Sequence, residues 1–178
     1  VMAYHANSSS LLADAGHNLG DVLALVFSWL ANRLLLKPSG PRYTFGFKKI
    51  TILASMSNGL LLMFSCGIIL VDAISMLIYP QKVLAVDVMI VAAIGIAING
   101  STALLFMKGA HHDLNIKSAF LHLLYDTAIS VGVVIAGALI YFTQWHWIDP
   151  IMAFLIVIII LTGTWRLLKE AFTLIIDG

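Results

Sequence analysis

Long uncharged apolar runs constrain this chain more than any other feature. Residues 50–71 hold no charged side chain, and apolar character resumes after Asp72 as far as Tyr79. Residues 88–107 form a second such run, and 127–148 a third, broken only by His146 near its end. A fourth, 151–165, continues into Arg166. About 20 apolar residues carry a helix across the hydrocarbon core of a bilayer. Barrel strands would instead alternate apolar and polar residues over about ten positions, and nothing here alternates. Charged residues make up 11% of the chain, less than half of the roughly 25% in an ordinary soluble domain. A soluble globular domain, a disordered chain and a disulfide scaffold are excluded. The lone Cys66 lies inside an apolar run and says nothing about redox compartment. A net charge of +1 leaves no footprint for nucleic acid, so the expected surroundings are a lipid bilayer.

A fifth run, 22–32, is too short to span alone. Extended back through Asp21, His17 and Asp14 to Ser8 it reaches full length, but then carries ionisable residues into the membrane. The third run likewise extends back to Asp126 and His122. The expected fold is therefore all-α: a multi-pass transmembrane helical bundle with five complete spans, at about 8–36, 48–79, 84–107, 115–142 and 149–170. Pro38 and Pro41, with Ser39 and Gly40, mark the first loop, and Pro80 ends the second span. Asp149-Pro150 reads as an N-cap followed by proline at the first helical position. Residues 1–178 read as one transmembrane domain. Within it, 1–7 read as the end of a truncated first helix, and no basic region precedes them as in a signal peptide.

Basic residues favour the cytoplasmic side of a membrane. Arg33, Lys37, Arg42, Lys48 and Lys49 follow the first span, Lys108 and Lys117 the third, and Arg166 and Lys169 the fifth. Lys82 alone lies on the other side, so alternate loops divide nine against one. The first loop, the third loop and the tail are expected to be cytoplasmic. Tyr79, Tyr141, Trp145 and Trp147 fall at the opposite ends, as an aromatic belt would.

A charged side chain near the bilayer centre costs about 2.5–3.5 kcal/mol on insertion scales, and such residues face a bundle interior or a wet cavity. Two spans carry the same pair at the same spacing: His17-x3-Asp21 and His122-x3-Asp126. Residues four apart share a helix face, so each helix presents one imidazole and one carboxylate together. If the two helices face one another, two nitrogen and two oxygen ligands converge, a set that suits tetrahedral Zn²⁺ at about 2.0–2.2 Å. One such pair alone would read more plainly as a packing device or proton relay; its repetition points to metal. Protons must leave before metal binds, and imidazole, with a reference pKa of about 6.5, exchanges them near physiological pH.

The other polar residues carry less. Asp14 lies on the stripe of His17 and Asp21 and reads equally as exit-route lining, a cap or a paired group. Asn18 and Asn99 read as interhelical hydrogen-bonding groups, and Asp72 as a solvated carboxylate near a span end. His111, His112 and Asp113 read as solvated loop residues. Ala128, Gly132 and Ala136 repeat at a spacing that lets helices approach closely.

With these residues in hand, the sequence resembles the cation diffusion facilitator family, its zinc transporter group in particular. The resemblance rests on SLLADAGHNLGD (10–21), RYTFGFKK (42–49), LNIKSAFLHLLYDTAISVGVV (114–134) and the closing WRLLKEAFTLIIDG, and extends over essentially the whole chain. It implies six transmembrane helices, of which the spans here look like the second to sixth. It also places His17, Asp21, His122 and Asp126 on the family's four metal ligands. Members look like homodimeric exporters of Zn²⁺ from the cytoplasm, coupled to protons and working by alternating access. The His-containing site is associated with zinc over cadmium. Three departures stand out. Most of helix one and the C-terminal cytoplasmic domain are expected to be absent. Thr51 stands where an acidic residue often follows the basic loop. Residues 37–49 contain no His or Asp, so the accessory loop site of some relatives is not expected.

A transporter of Mn²⁺, Fe²⁺, Co²⁺ or Ni²⁺ remains the alternative that ligand type leaves open. An intramembrane zinc hydrolase would use the same ligands, but catalytic zinc usually keeps three protein ligands and an open position. With four ligands and no spare Glu as base, the chain reads as a transporter, not an enzyme. The short loop between Met107 and Lys117 lacks a long histidine-rich insert, which points to a bacterial inner membrane.

Overall fold

The structure is a computed structural model and describes residues 1–35, 50–107, 109 and 114–176. The basic stretch 37–49, and His111, His112 and Asp113, lie outside the described residues. Among the described residues the chain is all-α. Its helices are α1 (Met2–His5), α2 (Ser9–Leu35), α3 (Ile50–Ile78), α4 (Ala85–Met107), α5 (Leu114–Thr143) and α6 (Ile148–Ile176).

Four segments are long and apolar enough to cross a membrane: Met56–Ile78, Ala85–Met107, Ala119–Thr143 and Ile148–Arg166. The expectation of five complete spans is thereby corrected to four among the described residues. The first expected span, 8–36, does form one continuous helix, α2. Asp14, His17, Asn18 and Asp21 lie within it, however, and what remains of its apolar run is too short to qualify. Leu105 and Phe142 are each 81% exposed, as side chains facing lipid would be rather than water. The molecule is an integral, multi-pass membrane protein.

The chain separates into two compact units, Val1–Ala15 with Ile69–Val157, and Gly16–Ile68 with Ile158–Gly178. α2, α3 and α6 each contribute to both, whereas α4 and α5 belong wholly to the first. In the first unit α4 packs along α5. A Cβ at Gly137 would lie 2.8 Å from Met89 Cγ and 3.3 Å from the Ala85 carbonyl oxygen, so only glycine admits that approach. In hydrocarbon such packing of small residues replaces the hydrophobic drive between helices. Gly132 faces the Met152 methyl of α6 in the same way, and Ala136 is buried, while Ala128 is exposed. Val88, Val133, Ile140, Ala153, Ile156 and Val157 fill the interior. Asn7, at φ 48°, makes the turn from α1 into α2, a left-handed position that asparagine tolerates. Tyr79, Tyr141, Trp145 and Trp147 are all exposed at helix ends.

In the second unit Gly20 of α2 faces Leu62 of α3, and Gly59 of α3 faces Leu168 of α6. Met56, Leu60, Met63, Trp165, Leu168 and Phe172 line an apolar groove of about 460 Å³. Arg33 lies over the Trp29 ring at 5.1 Å, a cation–π contact near the C-terminal end of α2.

Candidate metal centre

An α-helix turns every 3.6 residues, so a His and an Asp four apart stand one above the other. On α2, His17 Nε2 lies 3.8 Å from Asp21 Oδ2, with the side chains 15% and 25% exposed. On α5, His122 Nε2 lies 3.5 Å from Asp126 Oδ2, with exposures of 51% and 5%. Each pair thus sets one nitrogen and one oxygen donor side by side, at ion-pair range rather than at the 2.7–3.2 Å of a hydrogen bond. That donor set suits zinc or another borderline divalent ion. The surroundings of the pairs differ. Both α2 side chains are partly sheltered, while α5 buries its carboxylate and leaves its imidazole half exposed.

The residues given lesser roles fall as follows. Asp14 is buried, and both its oxygens receive the Ser130 hydroxyl of α5, at 3.2 and 3.3 Å. Of the readings open for it, a paired group is the one realised. Asp72 is not merely solvated: its Oδ2 accepts the Ser9 hydroxyl at 2.6 Å. Asn18 and Asn99 are partly buried on α2 and α4. Asp149 does not cap its own helix, because α6 begins one residue earlier, at Ile148. Its carboxylate instead faces the serines at the start of α2. Sequence reading passed over Ser8, Ser9 and Ser10. Three consecutive hydroxyls at the head of a helix, in a chain this apolar, were the signal available.

These features define an integral helical membrane protein with a His–Asp donor pair on each of two helices. The chain belongs to the cation efflux family, whose transmembrane domain it matches over residues 1–176. It is 33% identical over 180 residues to the cadmium, cobalt and zinc/H(+)-K(+) antiporter of Bacillus subtilis (strain 168), covering 100% of this chain and 58% of that protein. It is 35% identical over 179 residues to the zinc transporter ZitB of Escherichia coli (strain K12), covering 100% of this chain and 57% of that one. To the metal cation efflux system protein CzcD of Cupriavidus metallidurans it is 34% identical over 171 residues, with coverages of 96% and 54%. The chain thus spans a little over half the length of these relatives. Family members are transporters, not enzymes.

Proposed function

We propose that this protein exports Zn²⁺ from the cytoplasm in exchange for protons, with His17, Asp21, His122 and Asp126 as the four ligands that hold the ion in transit. The observation that carries this reading is the recurrence of one donor pair, at one spacing, on α2 and α5 of a chain otherwise sparing with charge. Zinc arriving from the cytoplasmic side displaces protons from the two imidazoles and binds with the two carboxylates. Reorientation of the ligand-bearing helices opens the site to the far side, where reprotonation weakens coordination and releases the ion. The surplus of basic residues on one set of loops supports the direction. The protein works as a homodimer in a bacterial inner membrane, in keeping with the bacterial sources of its relatives.

The relatives' names include cadmium and cobalt besides zinc. Imidazole in the ligand set favours zinc over cadmium in this reading. The test is flux into proteoliposomes under an imposed pH gradient, with Zn²⁺, Cd²⁺ and Co²⁺ supplied separately. Zinc uptake is expected to follow the gradient and to vanish in Asp126→Ala. Undiminished uptake by that variant, or uptake indifferent to the gradient, would overturn the proposal.

A further inference from the structure

We propose that Asp149 is a positioning residue: its carboxylate fixes the axial and rotational setting of α2, and with it the placement of the His17/Asp21 pair. The contacts stand by themselves. Their consequence for transport rests on the function proposed above.

α2 opens with three serines, each employed differently. Ser8 is the N-cap, its Oγ accepting the Leu11 N–H at 3.0 Å, as serine does at a helix start. The same hydroxyl donates to Asp149 Oδ1 at 2.6 Å, and the Ser10 hydroxyl donates to that oxygen at 2.5 Å. Asp149 Oδ2 accepts the backbone N–H groups of Ser9, at 2.6 Å, and Ser10, at 3.2 Å. One carboxylate therefore takes four donors and lies across the head of a helix other than its own. It satisfies two of the N–H groups that a helix leaves without an internal partner, and it faces the positive end of the α2 dipole. Asp149, Ser9 and Ser10 are 0% exposed, so water is no substitute for these bonds.

The Ser9 hydroxyl points elsewhere. It donates to Asp72 Oδ2 of α3 at 2.6 Å, with Met76 Sδ at 3.1 Å beside it. One turn along, Asp14 receives Ser130 of α5. The head of α2 is thus tied by polar bonds to α6, α3 and α5. Apolar packing in lipid resists sliding and rotation weakly, because every apolar face is equally at ease there. Hydrogen bonds in several directions resist both. α2 is continuous from Ser9 to Leu35, and His17 lies two turns beyond Ser10, about 10 Å along the axis. A slip of one residue at the anchor turns a helix by about 100° and would carry the imidazole and carboxylate to another face.

A carboxyl group presents two oxygens that both accept, whereas an amide presents one acceptor and one donor. In Asp149→Asn the amide NH₂ meets the Ser9 and Ser10 N–H groups, donor against donor, or meets the two hydroxyls if flipped. The test measures amide hydrogen exchange over residues 9–12, together with the KM and maximal rate of zinc transport in proteoliposomes. The reactivity of Cys66, which is 2% exposed, reports whether the variant is folded. The expected result is faster exchange at the head of α2 and a KM for zinc raised about tenfold, the size typical of groups that support a metal ligand, with Cys66 still protected. A folded Asp149→Asn protein with unchanged KM, or with a lowered maximal rate alone, would overturn the proposal. If Cys66 becomes reactive, the single variant Ser10→Ala decides by the same criteria, since it keeps the backbone ties and the Ser8 cap and removes one hydroxyl donor to Asp149. Should the wild type move no zinc, the transport reading fails. The anchor is then judged by exchange alone, and unchanged protection at residues 9–12 would sink it.

Discussion

Asp126 and Asp149 are both almost wholly buried carboxylates on helices that cross the membrane, yet they live in different surroundings. Asp149 is encircled by two hydroxyls and two backbone N–H groups at 2.5–3.2 Å. Asp126 has on its own helix an imidazole at 3.5 Å, and that imidazole is half exposed. Short bonds from rigid donors hold a carboxyl group in one place. An imidazole at that longer range is not locked to the carboxylate by a short bond. In a chain with so few charges, one buried carboxylate is bonded to the head of another helix, and the other is one of the four ligands proposed above.

Variants can break or sharpen that comparison. The largest effect is expected from Asp126→Ala, which should lower zinc transport by at least about 100-fold, beyond the 10–100-fold cost of disturbing an outer support. Cys66 should stay protected in that variant, and a thiol assay with flux measurement checks both. Next comes His122→Asp, which should shift the zinc-to-cadmium transport ratio toward cadmium by about tenfold, or about 1.4 kcal/mol of preference. Parallel flux of the two ions reads it. Gly137→Leu probes the first unit without touching either carboxylate. Overpacking against Met89 and the Ala85 carbonyl should cost about 1–3 kcal/mol of stability, seen as earlier thermal unfolding in detergent, with zinc affinity in the folded fraction unchanged. The smallest change belongs to Ser130→Ala, which removes the hydroxyl from Asp14. About 0.6 kcal/mol is the average worth of such an interhelical bond in a membrane, visible in the same melting experiment.

The sequence disclosed much of this and hid the rest for physical reasons. α3, α4, α5 and α6 were legible because crossing hydrocarbon demands long uncharged runs, which stand out without reference to anything else. α2 was legible as a helix, but the sequence reading of 8–36 as a complete span went too far, since only four other segments qualify among the described residues. Its polar residues at 14, 17, 18 and 21 leave too short an apolar run, and extending that run back through them to reach full length was the step that failed. The His–Asp pairs were readable because both partners lie within one turn, where spacing fixes geometry. Asp149 was not, because its partners are Ser8, Ser9 and Ser10, some 140 residues away. No local periodicity links them. An aspartate before a proline at a helix start resembles a cap so closely that local reasoning stops there.

His146, which interrupts the third apolar run, ends up with its Nδ1 accepting the Val83 N–H at 3.3 Å. That bond occupies Nδ1. Nδ1 can coordinate only if the link between the two loops is given up. The polar pocket beside it, about 290 Å³ and lined also by Lys82 and Asp87, therefore contains a histidine already committed to backbone. For the export proposed above, a histidine in this pocket that is bonded to backbone is one donor fewer to hold the ion back.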